Sequence, residues 1–79
     1  SLHMSYSGQI LSVLDTVGLN TTENQKLLNE HAPHSFKLLQ ALGVLRASDI
    51  LSEENVVLLL NNPANSWHLA GILVALNQH

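Results

Sequence analysis

Two histidines in this sequence have the spacing of a metal-binding pair. His31 and His34 form an H-x-x-H pattern, which on a continuous helix places two imidazoles on one face, where they can bind a transition metal. Pro33 lies between them, and proline interrupts a helix because it lacks an N–H group and clashes with the preceding turn. We therefore interpret both histidines as loop residues and expect neither a metal site nor a cofactor.

Two further pairs of polar residues resemble catalytic groups by type alone. Ser12 and Asp15 lie three residues apart on a predicted helix, but no nearby histidine completes a nucleophilic arrangement. Glu53 and Glu54 are adjacent, so their side chains point apart on a helix. Both lie in the first turn of a predicted helix, where the helix dipole favours negative charge, and this position accounts for them. The sequence also has no glycine-rich phosphate loop. We therefore expect no catalytic residue and interpret the chain as not being an enzyme.

The elements that would position any site come from a stretch that occurs twice, at residues 23–47 and 54–78, with a period of 31 residues. The copies align without a gap and are identical at Glu23/Glu54, Asn24/Asn55, Leu27/Leu58, Leu28/Leu59, Ser35/Ser66, Leu38/Leu69, Leu42/Leu73 and Leu45/Leu76. Residues 9–14 match residues 40–45 in part, which indicates half of a third copy. A period of about 20 to 50 residues is typical of repeat arrays, in which each unit packs on the next.

Apolar residues recur with helical spacing throughout this pattern. They predict helices at about residues 6–17, 22–31, 35–46, 52–61 and 66–77, with Gly18 ending the first helix and a proline following each short one. We predict an all-α fold of about five helices, a half repeat plus two hairpins of 31 residues, stacked as a small bundle or short solenoid. Residues 5–79 would form this single domain, whereas residues 1–4 are typical of the remnant of a cleaved tag.

Helix starts are indicated by residues that can cap free backbone N–H groups. Thr22 and Gln25 bracket the sequence T-E-N-Q, which is typical of a capping box. Ser52 precedes two acidic residues at the start of the equivalent helix in the second copy. The two longer helices are predicted to begin at Ser35 and Ser66, with the serine or its neighbour as the cap.

Leucines at matched positions define the predicted core. On a helical wheel, Leu38, Leu42 and Leu45 form one stripe, which recurs 31 residues later, and each short helix adds a leucine pair. The full set is Leu27, Leu28, Leu38, Leu42, Leu45, Leu58, Leu59, Leu69, Leu73 and Leu76. Full burial of one such leucine contributes about 1.5 to 3 kcal/mol before conformational entropy is subtracted, so these positions are expected to dominate stability.

A second apolar stripe lies on another side of each long helix. It comprises Phe36, Leu39 and Gly43 in the first copy, and Trp67, Ala70 and Val74 in the second. The following repeat can cover the first stripe, but the last repeat has no successor. We therefore predict that Trp67, Ala70 and Val74 form an open patch, unless a second chain, a missing further repeat or the Asn77-Gln78-His79 tail covers it. An open patch would bind a partner, with Trp67 as its anchor. The alternative is that Trp67, which aligns with Phe36, is a core aromatic.

Composition restricts the kind of partner. Hydrophobic residues make up 46% of the chain and charged residues 11%, which excludes disorder and leaves an apolar surface to explain. The net charge is −3, and Lys26, Lys37 and Arg46 are the only fixed positive charges, so binding to nucleic acid or to an anionic membrane is not expected. The absence of cysteine excludes disulfides and thiolate metal sites. The expected partner is an unidentified protein, with self-association as a homo-oligomer as the alternative.

The repeat also resembles a known class of helical hairpins. Its motif is Ile50-Leu51-Ser52-Glu53-Glu54-Asn55-x-x-Leu58-Leu59, a turn with proline, and Leu69-Ala70-x-x-Leu73. This motif resembles repeats of secreted effector proteins from intracellular bacterial pathogens, over about residues 9–78. The resemblance implies a non-catalytic protein-interaction segment of a larger effector that is delivered into the host cell cytosol. If the resemblance does not hold, we expect a cytoplasmic protein, or a structural spacer with no partner of its own.

Overall fold

The computed structural model describes residues 6–78, which form five α-helices, two short 3-10 turns and no β-strand. The helices are α1 (Tyr6–Thr16), α2 (Thr22–Glu30), α3 (Ser35–Ala47), α4 (Glu53–Leu60) and α5 (Ser66–Asn77). The first 3-10 turn (Ala32–His34) joins α2 to α3, and the second (Pro63–Asn65) joins α4 to α5. The predicted all-α fold of about five helices is confirmed. The predicted tag remnant at residues 1–4 lies outside the described residues.

The turns that end α1 and α3 have the same backbone geometry, 31 residues apart. Gly18 and Asp49 both adopt the left-handed conformation, with φ angles of 74° and 58°. The N–H of the next residue then bonds to the carbonyl oxygen five positions earlier, in both cases at 2.9 Å. This is the Schellman ending, in which a left-handed residue lets the helix satisfy its last carbonyl groups. The predicted end of the first helix at Gly18 is confirmed, and Asp49 has the same role without the conformational freedom of glycine.

The short helices α2 and α4 begin with equivalent caps. Their N-cap residues are Thr21 and Ser52, whose hydroxyl oxygens accept hydrogen bonds from the backbone N–H of Asn24 and Asn55, at 3.1 and 3.2 Å. The same two asparagines donate through Nδ2 to the carbonyl oxygen five residues earlier, at 2.7 and 2.8 Å. One asparagine in each repeat thus joins the start of a short helix to the loop before it. Ser52 is the cap that the sequence predicts.

The predicted capping box at Thr22 and Gln25 is wrong by one residue. Thr22 is the first residue inside α2, and the N-cap is Thr21. The Gln25 Nε2 donates to the Asn20 Oδ1 at 3.0 Å, and not to the backbone of a cap residue. The third helical position is therefore Asn24, whose side chain is already engaged with the preceding loop.

The long helices begin without a side-chain cap. Their N-cap residues are the neighbours that the prediction allowed, so only the assignment of Ser35 and Ser66 themselves as caps is wrong. Both serines are the first residues inside their helices, and the side chains of the N-cap residues, His34 and Asn65, make no capping bond. The N–H of each serine bonds to the first carbonyl oxygen of the preceding 3-10 turn. The Oγ of the buried Ser66 donates to the Pro63 carbonyl oxygen at 2.8 Å. The 3-10 turn therefore satisfies groups that a cap would otherwise satisfy.

The central helix is α3, which packs against α1, α4 and most extensively α5. The core consists of side chains that are at most 3% exposed. These are Ile10, Leu14, Leu28, Leu38, Ala41, Leu42, Leu45, Val56, Leu59, Leu60 and Ala70. Every helix contributes to this set, so the repeats share one continuous core, as stacked hairpins must.

The predicted core is correct in the first repeat and partly wrong in the second. The buried members of the predicted set are Leu28, Leu38, Leu42, Leu45 and Leu59. Three further leucines, Leu27, Leu69 and Leu73, are partly buried and pack against this core. Leu58 and Leu76, by contrast, are 38% and 66% exposed, so their assignment to the core is wrong. Both lie in the last repeat, on which the described residues place no further helix.

Candidate interaction surfaces

The residues with potential for catalysis or metal binding are not assembled into a centre. His31 is the C-cap of α2 and His34 is the last residue of the first 3-10 turn, so the two histidines do not lie on one continuous helix. Within residues 6–78, no three His, Cys, Asp or Glu side chains are grouped so that they could hold a metal ion. Ser12 and Asp15 are exposed on α1. The described residues also include exposed apolar side chains, which form the surfaces considered next.

The predicted patch of Trp67, Ala70 and Val74 does not form one open surface. Trp67 is half-exposed and Val74 is partly buried, but Ala70 is fully buried. Val74 lines a shallow cleft together with residues 48–50 of the α3–α4 connection, so this side of α5 faces the preceding part of the chain. The prediction that Ala70 is open is therefore wrong, because the stripe packs backwards onto the earlier repeat.

The equivalent stripe of the first repeat also packs against an earlier part of the chain. Leu39 and Gly43 line a cleft with Gln9, Ser12 and Val13 of α1. The helix that lies against this stripe thus precedes it in the chain, and the prediction that the following repeat covers it is wrong. In α3 the side that carries Leu39 contacts α1, and in α5 the equivalent side, which carries Ala70, contacts α3. We call this side the back face.

Trp67 is half-exposed on α5, where it lines one cleft with His68, Gly71, Ile72 and Ala75. It is 52% exposed, and its equivalent Phe36 is 51% exposed although another repeat follows Phe36. A following repeat therefore does not cover this position of the long helix. Tyr6, also half-exposed, has its ring centroid 5.2 Å from that of Phe36. The three aromatic residues of the chain thus lie half-exposed on α1, α3 and α5, and we call this set the aromatic ridge.

The side of α5 opposite its back face is where exposure differs between the repeats. Ala41 is completely buried, whereas its equivalent Ile72 is 43% exposed. Leu45 is also completely buried, and its equivalent Leu76 is among the most exposed apolar side chains of the chain. On the short helices, Leu58 is more exposed than its equivalent Leu27. We call the set Leu58, Ile72 and Leu76 the end face.

Helical geometry explains why the sequence pattern did not locate this face. With about 100° per residue, the exposed residues of α5 up to Leu76 cover about half of the helix circumference. They are Trp67, His68, Gly71, Ile72, Ala75 and Leu76, of which only His68 is polar. Because α5 is apolar on all sides, its periodicity does not indicate which side is buried. Alignment of Ile72 with the buried Ala41 is the one sequence signal that could have identified Ile72 as a residue of interest.

The opposite end of the stack is polar at the positions where the second repeat is apolar. Val56 and Leu60 of α4 are buried, at 0% and 3% exposure. Their equivalents in α2 are Gln25 and Asn29, and both are exposed. In the part of the chain that the structure describes, this side of the first repeat is therefore polar, whereas the end face is apolar.

A polar contact also joins the repeats. The Lys37 Nζ of α3 donates to the Ala64 carbonyl oxygen in the second 3-10 turn, at 3.2 Å. The residue equivalent to Lys37 in α5 is the exposed His68. The end face therefore has a hydrogen-bonding residue beside its apolar side chains, at the position where the preceding repeat uses one to hold its neighbour.

Comparison of the chain with known protein families, with curated proteins and with solved structures gives no match in any of the three. The resemblance to effector repeats stays a prediction. Within residues 6–78, no helix is both long enough and apolar enough to cross a membrane.

Proposed function

We propose that this chain is a non-catalytic protein-interaction module that binds a partner protein through the end face. The observation that carries the proposal is the difference between equivalent positions. Ala41 and Leu45 are fully buried against the next repeat, whereas Ile72 and Leu76 are exposed. Apolar side chains in a contiguous exposed surface favour association, because burial removes them from water. The resemblance to secreted effectors supports the further proposal that the partner is a host protein.

The size of the end face limits what it can do alone. The exposed fractions of Leu58, Ile72 and Leu76 amount to about one and a half fully exposed aliphatic side chains. Their burial would contribute about 2 to 4 kcal/mol. Association costs about 4 kcal/mol or more in lost translational and rotational freedom. A partner with useful affinity must therefore contact the neighbouring small and polar residues of α5 as well.

The proposal is tested by capture from host-cell lysate with three proteins: the full chain, an Ile72→Asp/Leu76→Asp variant and a Trp67→Asp variant. All three should fold, as far-UV circular dichroism can check, because the altered side chains are about half-exposed or more. A captured protein is then purified and its affinity for each variant is measured by calorimetry. We expect binding to the full chain, loss of binding in the end-face variant, and weaker binding to the Trp67 variant, because Trp67 lines a cleft with Ile72.

Two results would contradict this assignment. Loss of binding in the Trp67 variant alone would place the binding site on the aromatic ridge. If all three proteins are folded and none of them captures a protein from the lysate, the alternative of a structural spacer is favoured.

Self-association is the second candidate function, and the low charge of the end face favours it. Two copies could bring their end faces together around a twofold axis, because such an interface uses the same surface twice. Sedimentation velocity over a wide concentration range tests this. A dimer that dissociates in the Ile72→Asp/Leu76→Asp variant would support self-association, and a monomer at all concentrations would exclude it.

A further inference from the structure

We propose that the cleft between α1 and α3 binds the carboxyl terminus of a polypeptide that ends in an aliphatic residue. The cleft is lined by residues of both helices, among them Ser12, Val13, Leu39, Leu42, Gly43 and Arg46. Its volume is about 390 Å³, within the range of ligand pockets, about 300 to 1,000 Å³. We call it the α1–α3 cleft. None of its lining residues belongs to the end face, so the inference does not depend on the proposed function.

Neighbouring repeats leave this cleft open. The hairpin of α4 and α5 follows α3 in the stack, and Gly43 and Arg46 are exposed in its presence. At the next interface, between α3 and α5, the preceding helices α1 and α2 are also in place. The residue of α5 equivalent to Arg46 is Asn77, and it is exposed there as well. Neither a preceding nor a following repeat of this geometry therefore covers the α1–α3 cleft.

Gly43 gives the cleft its space. Glycine in the middle of a helix is unfavourable relative to alanine, because it loses more backbone entropy on folding. Close packing does not require it here, since nothing lies within 4 Å of a Cβ atom built at Gly43. The equivalent residue of α5 is Val74, which is partly buried. The first interface between long helices therefore keeps open a space that a valine side chain takes up in the second.

Arg46 gives the cleft its positive charge. It lies in the last turn of α3, and within residues 6–78 its guanidinium group makes no ion pair and no hydrogen bond. A guanidinium group binds a carboxylate through two parallel hydrogen bonds, so its preferred ligand is an anion of this shape. The equivalent Asn77 is uncharged, and its Nδ2 donates to the Leu73 carbonyl oxygen at 3.0 Å. Charge and open space thus occur together at the first interface only.

The remaining walls specify the rest of the ligand. Val13, Leu39 and Leu42 are apolar, and Ser12 adds a hydroxyl group that can bond to a peptide N–H or carbonyl group. Gly43 is three residues from Arg46, so the two lie on the same side of α3, about 5 to 6 Å apart.

One terminal residue of a polypeptide can therefore span the cleft. Its carboxylate would bind Arg46, its aliphatic side chain would lie over Gly43, and the peptide group before it would reach Ser12. An internal aspartate or glutamate lacks the aliphatic branch beside its carboxylate, and a fatty acid lacks the peptide group.

The test uses acetyl-seryl-alanyl-leucine with a free carboxyl terminus as the probe, titrated into the nitrogen-15-labelled full chain. The same peptide with a carboxyl-terminal amide lacks the charge, and isocaproate has the carboxylate and the branched chain without a peptide group. We expect saturable 1:1 shifts of the amide signals of Val13, Gly43 and Arg46, and none at Ile72 and Leu76. The amide should bind about tenfold to a hundredfold more weakly, and isocaproate about fivefold more weakly.

Two variants test the charge and the space separately. Arg46→Gln should weaken binding of the peptide to the level of the amide and should not affect the amide, because both changes remove the same contact. Lys26→Gln, at an exposed lysine of α2, is the matched control and should leave binding unchanged. Gly43→Val should abolish binding with Arg46 still present. It should not lower the urea midpoint, since nothing lies within 4 Å of the added Cβ atom.

Three results would overturn the inference. The first is the absence of any saturable shift at millimolar peptide. The second is equal binding of the peptide and its amide, or unchanged binding in the Gly43→Val variant. The third is binding of isocaproate as tight as that of the peptide, which would assign the α1–α3 cleft to a small carboxylic acid and not to a polypeptide.

Discussion

Ala41 of α3 and Ile72 of α5 lie at the same position of successive repeats, and Ala41 is completely buried where Ile72 is 43% exposed. The two helices have the same order of neighbours up to this point, since each packs its back face on the long helix before it. They differ on the opposite side, because α5 lies beyond α3 and the described residues place no helix beyond α5. The stability of stacked repeats is approximately the sum of the free energy of each repeat and of each interface between neighbouring repeats. Two equivalent residues therefore contribute differently to stability when only one of them lies in such an interface.

This relationship predicts very different effects of one substitution at two equivalent leucines. Leu45→Ala should destabilise the protein by about 2 to 5 kcal/mol, because it leaves a cavity in the core. Leu76→Ala should change the free energy of unfolding by about 0.5 kcal/mol or less, because Leu76 is largely exposed. Urea unfolding followed by circular dichroism measures both. Equal losses would show that Leu76 is buried in solution, as in a dimer.

The left-handed residues that end α1 and α3 predict a stabilising substitution. Asp49 has a φ of 58°, which costs an L-residue about 1 to 2 kcal/mol. Glycine avoids this cost but loses about 0.5 to 1 kcal/mol of backbone entropy, so Asp49→Gly should stabilise the protein by about 0.5 to 1 kcal/mol. Gly18→Ala is the matched control and should destabilise it, although nothing lies within 4 Å of the added methyl group. A shift of the two urea midpoints in the same direction would contradict this account.

The paired asparagines predict a loss of stability that depends on their amide donors. Asn55→Asp keeps the side-chain size and removes the Nδ2 donor to the carbonyl oxygen of Ile50, a partly buried bond of 2.8 Å. We expect a loss of about 1 to 3 kcal/mol, because the carbonyl oxygen loses its donor and faces a carboxylate. Asn24→Asp should have a similar effect, since Asn24 makes the equivalent bond. Asn62→Asp, at an exposed amide, is the control for the added charge. Thermal unfolding of the three variants tests this, and equal effects of all three would exclude the proposed role.

The aromatic ridge predicts equal solvent access at two positions. Phe36 and Trp67 have nearly the same exposure, so a Phe36→Trp/Trp67→Phe double variant should show the same acrylamide quenching constant as the unaltered chain. Quenching of the single tryptophan in each protein measures this directly. If Trp67 is markedly less accessible than a tryptophan at position 36, another part of the protein or a second copy covers the ridge at α5.

Most of the local structure was predictable because its signals are local. Helical periodicity, the glycine at position 18 and the prolines at positions 33 and 63 located five helices close to their observed bounds. The cap of α2 was misplaced because threonines are adjacent at positions 21 and 22, and either can cap a helix. The 31-residue register would have resolved this choice, since Ser52 aligns with Thr21.

The orientation of α5 was decided only by the tertiary structure. Its sequence is apolar on all sides, so residue type did not distinguish the stripe with Ala70 from the leucine stripe with Leu76, which we predicted to be buried. The fold buries Ala70 and leaves Leu76 exposed. By itself, the sequence determined the repeat, the helices and the lack of a basic surface, because these depend on residue type and spacing. Only the tertiary structure decided which apolar side of α5 stays open. That side is set by the packing of each long helix on the long helix before it, which residue type and spacing do not encode.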